Sequence, residues 1–256
     1  MKTIEIKNLS FKYNKNKPIV LNDINLSCEQ GSINVLIGLN GSGKTTLIKT
    51  IAGLLDKYEG EILINGKPLT DMSIKEKANN IAYVSQRTNA ADDFTVLDYL
   101  LFGKVNSLKF YQAPTSDDKQ KVSQVAEKFN ITHLLDKKVG ELSGGERQIV
   151  SICCSIIQDT EIVILDEPTS ALDIKNQAMI MDLIKSIAAE ENKTFLLSSH
   201  NPNQALYLNG YVFLLKNGII INEGNAAEII TIENLKEIYG DSIKYSKDLD
   251  YNEITF

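Results

Sequence analysis

Gly38-Leu39-Asn40-Gly41-Ser42-Gly43-Lys44-Thr45-Thr46 lies between an apolar run at 33–37 and a helical pattern of Leu47, Ile48, Ile51, Leu54 and Leu55, and the fold turns on that placement. The spacing GxxxxGK[ST] falls on Gly38, Gly43, Lys44 and Thr45, in the strand, loop and helix context that a phosphate-binding loop requires. Glycines let the backbone turn with its N–H groups inward, and the start of the helix adds the positive end of its dipole to the same pocket. Lys44 is then placed to reach β- and γ-phosphates and the Thr45 hydroxyl to ligate Mg²⁺. Asn40, Gly41, Ser42 and Thr46 belong to the same cradle. A glycine-rich turn that binds nothing is the plainer alternative, and the flanking elements argue against it.

Composition narrows the class. The 256 residues suffice for one large domain or two small ones. Hydrophobic residues are 43% and charged residues 23%, ordinary values for a soluble globular chain. No apolar run approaches the roughly 18 residues that span a bilayer. Met1-Lys2-Thr3-Ile4-Glu5 alternates instead of forming a signal peptide, so the chain is expected to stay in the cytosol. Cys28, Cys153 and Cys154 form no CxxC pair; neither a disulfide framework nor a zinc site is expected, only reduced core thiols. Net charge is −6, and the 27 Lys and Arg are scattered, which argues against nucleic acid or an anionic membrane surface as the main partner. Any membrane link must run through another protein.

Residues 2–8 and about 19–30 alternate at period two, predicting half-buried strands in an antiparallel sheet. Tyr13 lies in the link between them beside Phe11, and pattern alone makes it a packing aromatic. Gly60 and Gly66 bracket a short strand at 61–65, and the apolar strand 81–85 ends at Gln86. From about 88 to 158 the texture is helical. Thr95 with Asp98 starts one helix; Pro114 and Ser116, followed by Asp117 and Asp118, start another with Val122, Val125, Ala126 and Phe129 on one face. The intervening loop 103–113 carries Lys104, Lys109, Phe110 and Tyr111 and reads as solvated. Strands without alternation return at 162–165 and 194–199, separated by a helix over about 174–190, as suits strands covered on both faces. A hairpin is predicted over 210–223 with Asn217-Gly218 at its turn, then two short helices over about 225–239. Residues 244–256 show little period.

Two further stretches carry chemistry. A phosphate-binding loop needs a carboxylate at the end of a second buried strand, and Ile162-Val163-Ile164-Leu165-Asp166 supplies it, followed by Glu167 and Pro168. Asp166 is expected on the metal side, and Glu167 is expected to polarise the attacking water. In Leu142-Ser143-Gly144-Gly145-Glu146-Arg147-Gln148, Ser143 and Glu146 form a capping box for the next helix. The same capped start exposes N–H groups to an anion, a second phosphate site that one nucleotide in one chain does not need. His200 follows an apolar strand and on pattern alone is as readily structural as functional; His133 reads as structural.

Taken together, these residues resemble the ATP-binding subunit of an ABC transporter. GLNGSGKTT is similar to Walker A, LSGGE with Arg147 and Gln148 to the family signature, and IVILDEP to Walker B; Ser170-Ala171-Leu172-Asp173 is similar to the D-loop, Gln86 to the Q-loop and His200 to the H-loop. The resemblance covers essentially the full chain. It implies an α/β P-loop NTPase (RecA-like) core with an N-terminal antiparallel β-subdomain and an inserted α-helical subdomain. A single domain 1–256 is expected, with core about 1–87 and 159–240, helical part about 88–158, and tail 241–256. It implies ATP and Mg²⁺ as ligands, with Gln86 at the Mg²⁺ shell, His200 at the γ-phosphate and Tyr13 stacking on adenine. Two copies would close head to tail, Ser143, Gly144, Gly145 and Glu146 of one meeting the ATP held by the other, with Asp173 in the D-loop. Integral membrane permease subunits and, indirectly, an extracytoplasmic solute-binding protein are implied partners, which puts the chain peripherally on the cytoplasmic face of the membrane.

Within the family the likeness is to importers of iron-siderophores, haem or cobalamin, through TVLDYLLFGK at 95–104 and the tail 227–240. Lys104 stands where Arg is usual, and His200-Asn201-Pro202-Asn203 replaces the commoner His-Asp. The alternatives are a soluble ABC ATPase of the iron-sulfur assembly type and an exporter subunit. DNA-acting relatives carry a long coiled-coil insertion between Walker A and the signature, and this chain has none.

Overall fold

The computed structural model describes residues 1–86, 91–105, 114–241, 244–248 and 251–255. The alternation at the start gives β1 (Lys2–Phe11) and β2 (Leu21–Glu29), which pair antiparallel. The apolar run becomes β3 (Ile33–Ile37), and α1 (Lys44–Ile51) follows the loop. β4 (Tyr58–Ile64) returns to pair antiparallel with β1, and β5 (Lys67–Pro68) extends that edge. Gly60 does not bracket the strand as the sequence suggested but lies inside it. A Cβ there would stand 2.4 Å from the Asn8 carbonyl oxygen, so only glycine lets β4 pass the irregular pairing of β1 with its neighbour.

The rest of the chain is α2 (Ile74–Asn80), β6 (Ile81–Val84), α3 (Val96–Phe102), α4 (Ser116–Lys128), α5 (Gly144–Ile157), β7 (Ile162–Asp166), α6 (Ile174–Glu191), β8 (Thr194–Ser199), α7 (Pro202–Leu208), β9 (Tyr211–Lys216), β10 (Ile219–Asn225), α8 (Ala226–Ile229), α9 (Ile232–Tyr239), β11 (Lys244–Asp248) and β12 (Tyr251–Thr255). Among the described residues the antiparallel sheet has the order β2-β1-β4-β5, and a second sheet has the order β10-β9-β3-β8-β7-β6. In the second sheet β9, β3, β8, β7 and β6 run parallel, and β10 is antiparallel at one edge.

The parallel strands lack alternation because both faces are covered. Val35, Ile37, Val163, Leu165, Phe195 and Leu197 face a core completed by the helices α3 to α6. Leu36, Ile162, Ile164, Leu196 and Phe213 face the other way, into a core shared with α1 and the antiparallel sheet. Every such strand ends on the same side, where ligands bind in parallel α/β sheets.

Several local expectations are corrected. Thr115, not Ser116, caps α4, in a box with Asp118. α2 was not anticipated: none of its residues is buried, so it has no apolar stripe, and its only signal was the Ser73–Glu76 capping box. The tail read as aperiodic holds β11 and β12, paired from Lys244 with Thr255 to Asp248 with Tyr251. Lys109, Phe110 and Tyr111 of the loop at 103–113 lie outside the described residues, as does the start of the helical part at 88. The cysteines are free, Cys28 and Cys153 buried and Cys154 partly so, as expected of core thiols; burial pushes all three thiols up.

Candidate functional site

At the carboxyl ends of the parallel strands lies a cleft of about 520 Å³. Asn40, Gly41, Gly43, Lys44, Thr45 and Thr46 form one wall, with Gln86, Glu167 and His200 across from them. Gly38 is required at its position: a Cβ would stand 2.4 Å from the Leu215 carbonyl oxygen and 2.7 Å from Ser42 Oγ, so the loop could not seat against β9. The Lys44 ammonium is drawn into the loop, donating to the carbonyls of Gly38 at 2.8 Å and Leu39 at 3.1 Å, with Glu167 Oε1 at 3.5 Å. Burial lowers its pKa, and the Glu167 carboxylate works against that shift. Ser42 Oγ is buried and has no hydrogen-bond partner among the described residues. A buried cation, an orphan hydroxyl and a helix start together fit phosphate oxygens.

Asp166 is buried at the end of β7, where its Oδ1 accepts from Thr45 Oγ1 at 3.2 Å and from Ser198 Oγ at 2.7 Å. The same Ser198 hydroxyl accepts the Glu167 N–H at 2.9 Å. Glu167 has φ 47°, left-handed backbone that a non-glycine residue rarely adopts and that clusters at functional sites. That turn sends its carboxylate into the cleft, where Oε2 accepts from Gln86 Nε2 at 2.9 Å and faces His200 Nδ1 at 3.5 Å. Thr45, Asp166 and Gln86 offer the oxygen ligands that Mg²⁺ takes. Among the described residues no group of three or more His, Cys, Asp or Glu side chains could hold a metal by itself. The ion would therefore need phosphate oxygens and water to complete its shell, which is usual for Mg²⁺.

Tyr13 is not a packed core aromatic, for it is 54% exposed. Its ring meets Phe11 edge-on at 5.0 Å, and its hydroxyl lies 3.0 Å from Thr46 Oγ1, which sets it beside the loop.

The signature stretch is not in this cleft: none of Ser143, Gly144, Gly145 and Glu146 lines it. Ser143 caps α5, its Oγ accepting the Glu146 N–H while Glu146 Oε2 accepts from Ser143 N–H at 2.8 Å and from its hydroxyl at 2.7 Å. Those bonds hold the Glu146 carboxyl below its usual range. A Cβ on Gly144 would meet nothing within 4 Å, so that backbone is open. Asp173 accepts the Asn176 N–H and caps α6.

Ser198 escaped sequence reasoning, although its hydroxyl at the end of an apolar strand, in register with Asp166, was the available signal. Val20, which adds an apolar wall to the cleft, had none. Nor had Gln204, which accepts from Ser199 Oγ at 2.8 Å and donates to Thr169 Oγ1 at 2.8 Å.

The ABC transporter family pattern matches residues 21–170. The chain is 36% identical to the "Probable iron chelatin transport ATP-binding protein" of Helicobacter pylori, over 92% of each chain. It is 32% identical to the iron(3+)-hydroxamate import ATP-binding protein of Bacillus subtilis, over 86% of this chain and 82% of that one. A solved inward-facing transporter assigned to the metal-chelate type superposes with TM-score 0.84 at 27% identity, covering 99% of this chain and 96% of that one. A dimeric ATP-binding cassette bound to ADP and Pi superposes with TM-score 0.78 at 27% identity, covering 87% and 98%.

Proposed function

Because the chain belongs to the ABC transporter family, as an ATP-hydrolysing subunit, we propose that it energises import of an iron chelate through a membrane permease, with a solute-binding protein delivering the cargo. The support for the cargo class is the likeness to the iron chelatin and iron-hydroxamate subunits. No helix among the described residues is long and apolar enough to cross a membrane, which suits a subunit held at the membrane by its permease.

The observation that carries the ATPase site is the Glu167 carboxylate, aimed into the cleft by its left-handed backbone and flanked by Lys44, Gln86 and His200. In this reading the loop 38–46 cradles the phosphates, and Tyr13 and Val20 flank the base. Lys44 exchanges the carbonyls of Gly38 and Leu39 for β- and γ-phosphate oxygens, which releases Glu167. Glu167 takes the proton of the attacking water, and His200 contacts the γ-phosphate. Thr45, Asp166 and Gln86 would hold Mg²⁺, which supplies neutralisation of phosphate charge when bound. Ser143, Gly144, Gly145 and Glu146 of a second copy complete the site, and Asp173 lies in the D-loop that approaches that copy.

Glu167→Gln keeps the shape and removes the base. Hydrolysis is expected to slow by roughly 10² to 10⁴, or about 3 to 5.5 kcal/mol in barrier, with ATP binding intact. Near-normal turnover in a phosphate-release assay rules out this role for Glu167. For the cargo, purification of the intact membrane complex with bound solute is expected to yield an iron chelate; recovery with a soluble assembly complex instead overturns the transport reading.

A further inference from the structure

His200 is held in an unusual way for a group that must meet a phosphate. Its side chain is 56% exposed, and Nδ1 approaches Glu167 only at 3.5 Å, so packing does not fix the imidazole. Its backbone is fixed instead, from two elements. Ser199 Oγ accepts the Asn201 N–H at 2.9 Å and donates to Gln204 Oε1. From the other element, the Tyr239 hydroxyl donates to the His200 carbonyl oxygen at 2.8 Å, across 39 residues of chain. Tyr239 is the last residue of α9, which is anchored by buried Leu235 and Ile238 and capped by Thr231. Burial, and then the nearby Glu167 carboxylate, push the Tyr239 phenol up, so it remains a donor at neutral pH.

We propose that Tyr239 is a positioning residue for ATP hydrolysis: its hydroxyl clamps the His200 carbonyl and so sets the imidazole relative to Glu167 and the γ-phosphate. The clamp makes the end of α9 part of the hydrolytic apparatus, although the family match ends at residue 170, well before both residues. It rests on the reading of His200 as the γ-phosphate contact.

The test is a double-mutant cycle on this chain, with Tyr239→Phe, His200→Ala and the pair, read as steady-state hydrolysis over a range of ATP concentrations. Tyr239→Phe keeps the ring and removes one hydrogen bond, so the rate is expected to fall about 3- to 10-fold with KM for ATP unchanged. In the His200→Ala background the same change is expected to have no further effect, because the clamp then has nothing to aim. A merely structural role gives equal losses in both backgrounds, or a fall in thermal midpoint that accounts for the lost rate, and either result overturns the proposal. A neutral Tyr239→Phe overturns it too, while a slow His200→Ala leaves the role of His200 standing. Normal turnover in His200→Ala overturns both.

Discussion

At the scale of single residues, Ser198 shows how one hydroxyl can serve two carboxylate-bearing positions. It donates to Asp166 Oδ1 and accepts the Glu167 N–H, so it fixes the strand end from which both side chains leave. Ser198→Ala leaves the partly buried Glu167 N–H unpaired and is expected to cost about 1 to 3 kcal/mol of stability, checked by urea unfolding. ATP turnover should fall as well, but by less than in Glu167→Gln; a variant with wild-type stability contradicts the account. Asp166 and Glu167 were legible because two carboxylates after an apolar run make a recognisable pattern. Ser198 was not, because its value depends on lying beside Asp166 in the next strand, and register is not written in either segment alone.

At the scale of elements, Asp159 ties the link in which it lies to three other parts of the chain. It lies between α5 and β7, with Lys121 of α4 at 2.6 Å, Lys193 before β8 at 3.0 Å and Lys104 after α3 at 4.0 Å. Burial pushes the Asp159 carboxyl up, but hydrogen bonds from Lys121 and Lys193 outweigh it and hold the pKa at about 2. A carboxyl depressed in the folded state stabilises above its unfolded pKa, near 3.9, and loses that contribution as pH falls through about 2. Asp159→Asn is expected to cost roughly 1 kcal/mol at pH 7, a modest figure because solvent screens this half-exposed site. The gap from wild type should close on acidification toward pH 2; urea midpoints at pH 7 and pH 2.5 that differ by the same amount refute the electrostatic account. The helices α4 and α5 were legible because apolar stripes follow their starts, whereas the box of α2 precedes a helix that buries nothing.

At the scale of the whole molecule, the sequence reads the starts of α1 and α5 as anion sites, and of these two that of α1 opens on the cleft. In the proposed reading the exposed Ser143–Gly144 backbone meets the nucleotide of another copy. Glu167→Gln is expected to form dimers when ATP is added, and Ser143→Arg in that background should abolish them, since its side chain would occupy the contact. Sedimentation velocity with and without ATP decides the matter: dimers indifferent to nucleotide and to Ser143→Arg contradict a shared site.

By itself the sequence determined the glycine-rich loop between β3 and α1, the carboxylate pair, the capped start of α5 and the layered α/β class. Each is a local pattern in which spacing, turn chemistry and apolar periodicity suffice. Tertiary structure alone decided what touches Glu167. Gln86 follows β6, Lys44 opens α1, Ser198 and His200 share the end of β8, and Tyr239 reaches the His200 carbonyl from α9. A hydrogen bond between distant segments leaves no periodic trace, because what selects it is the order and register of strands in the sheet.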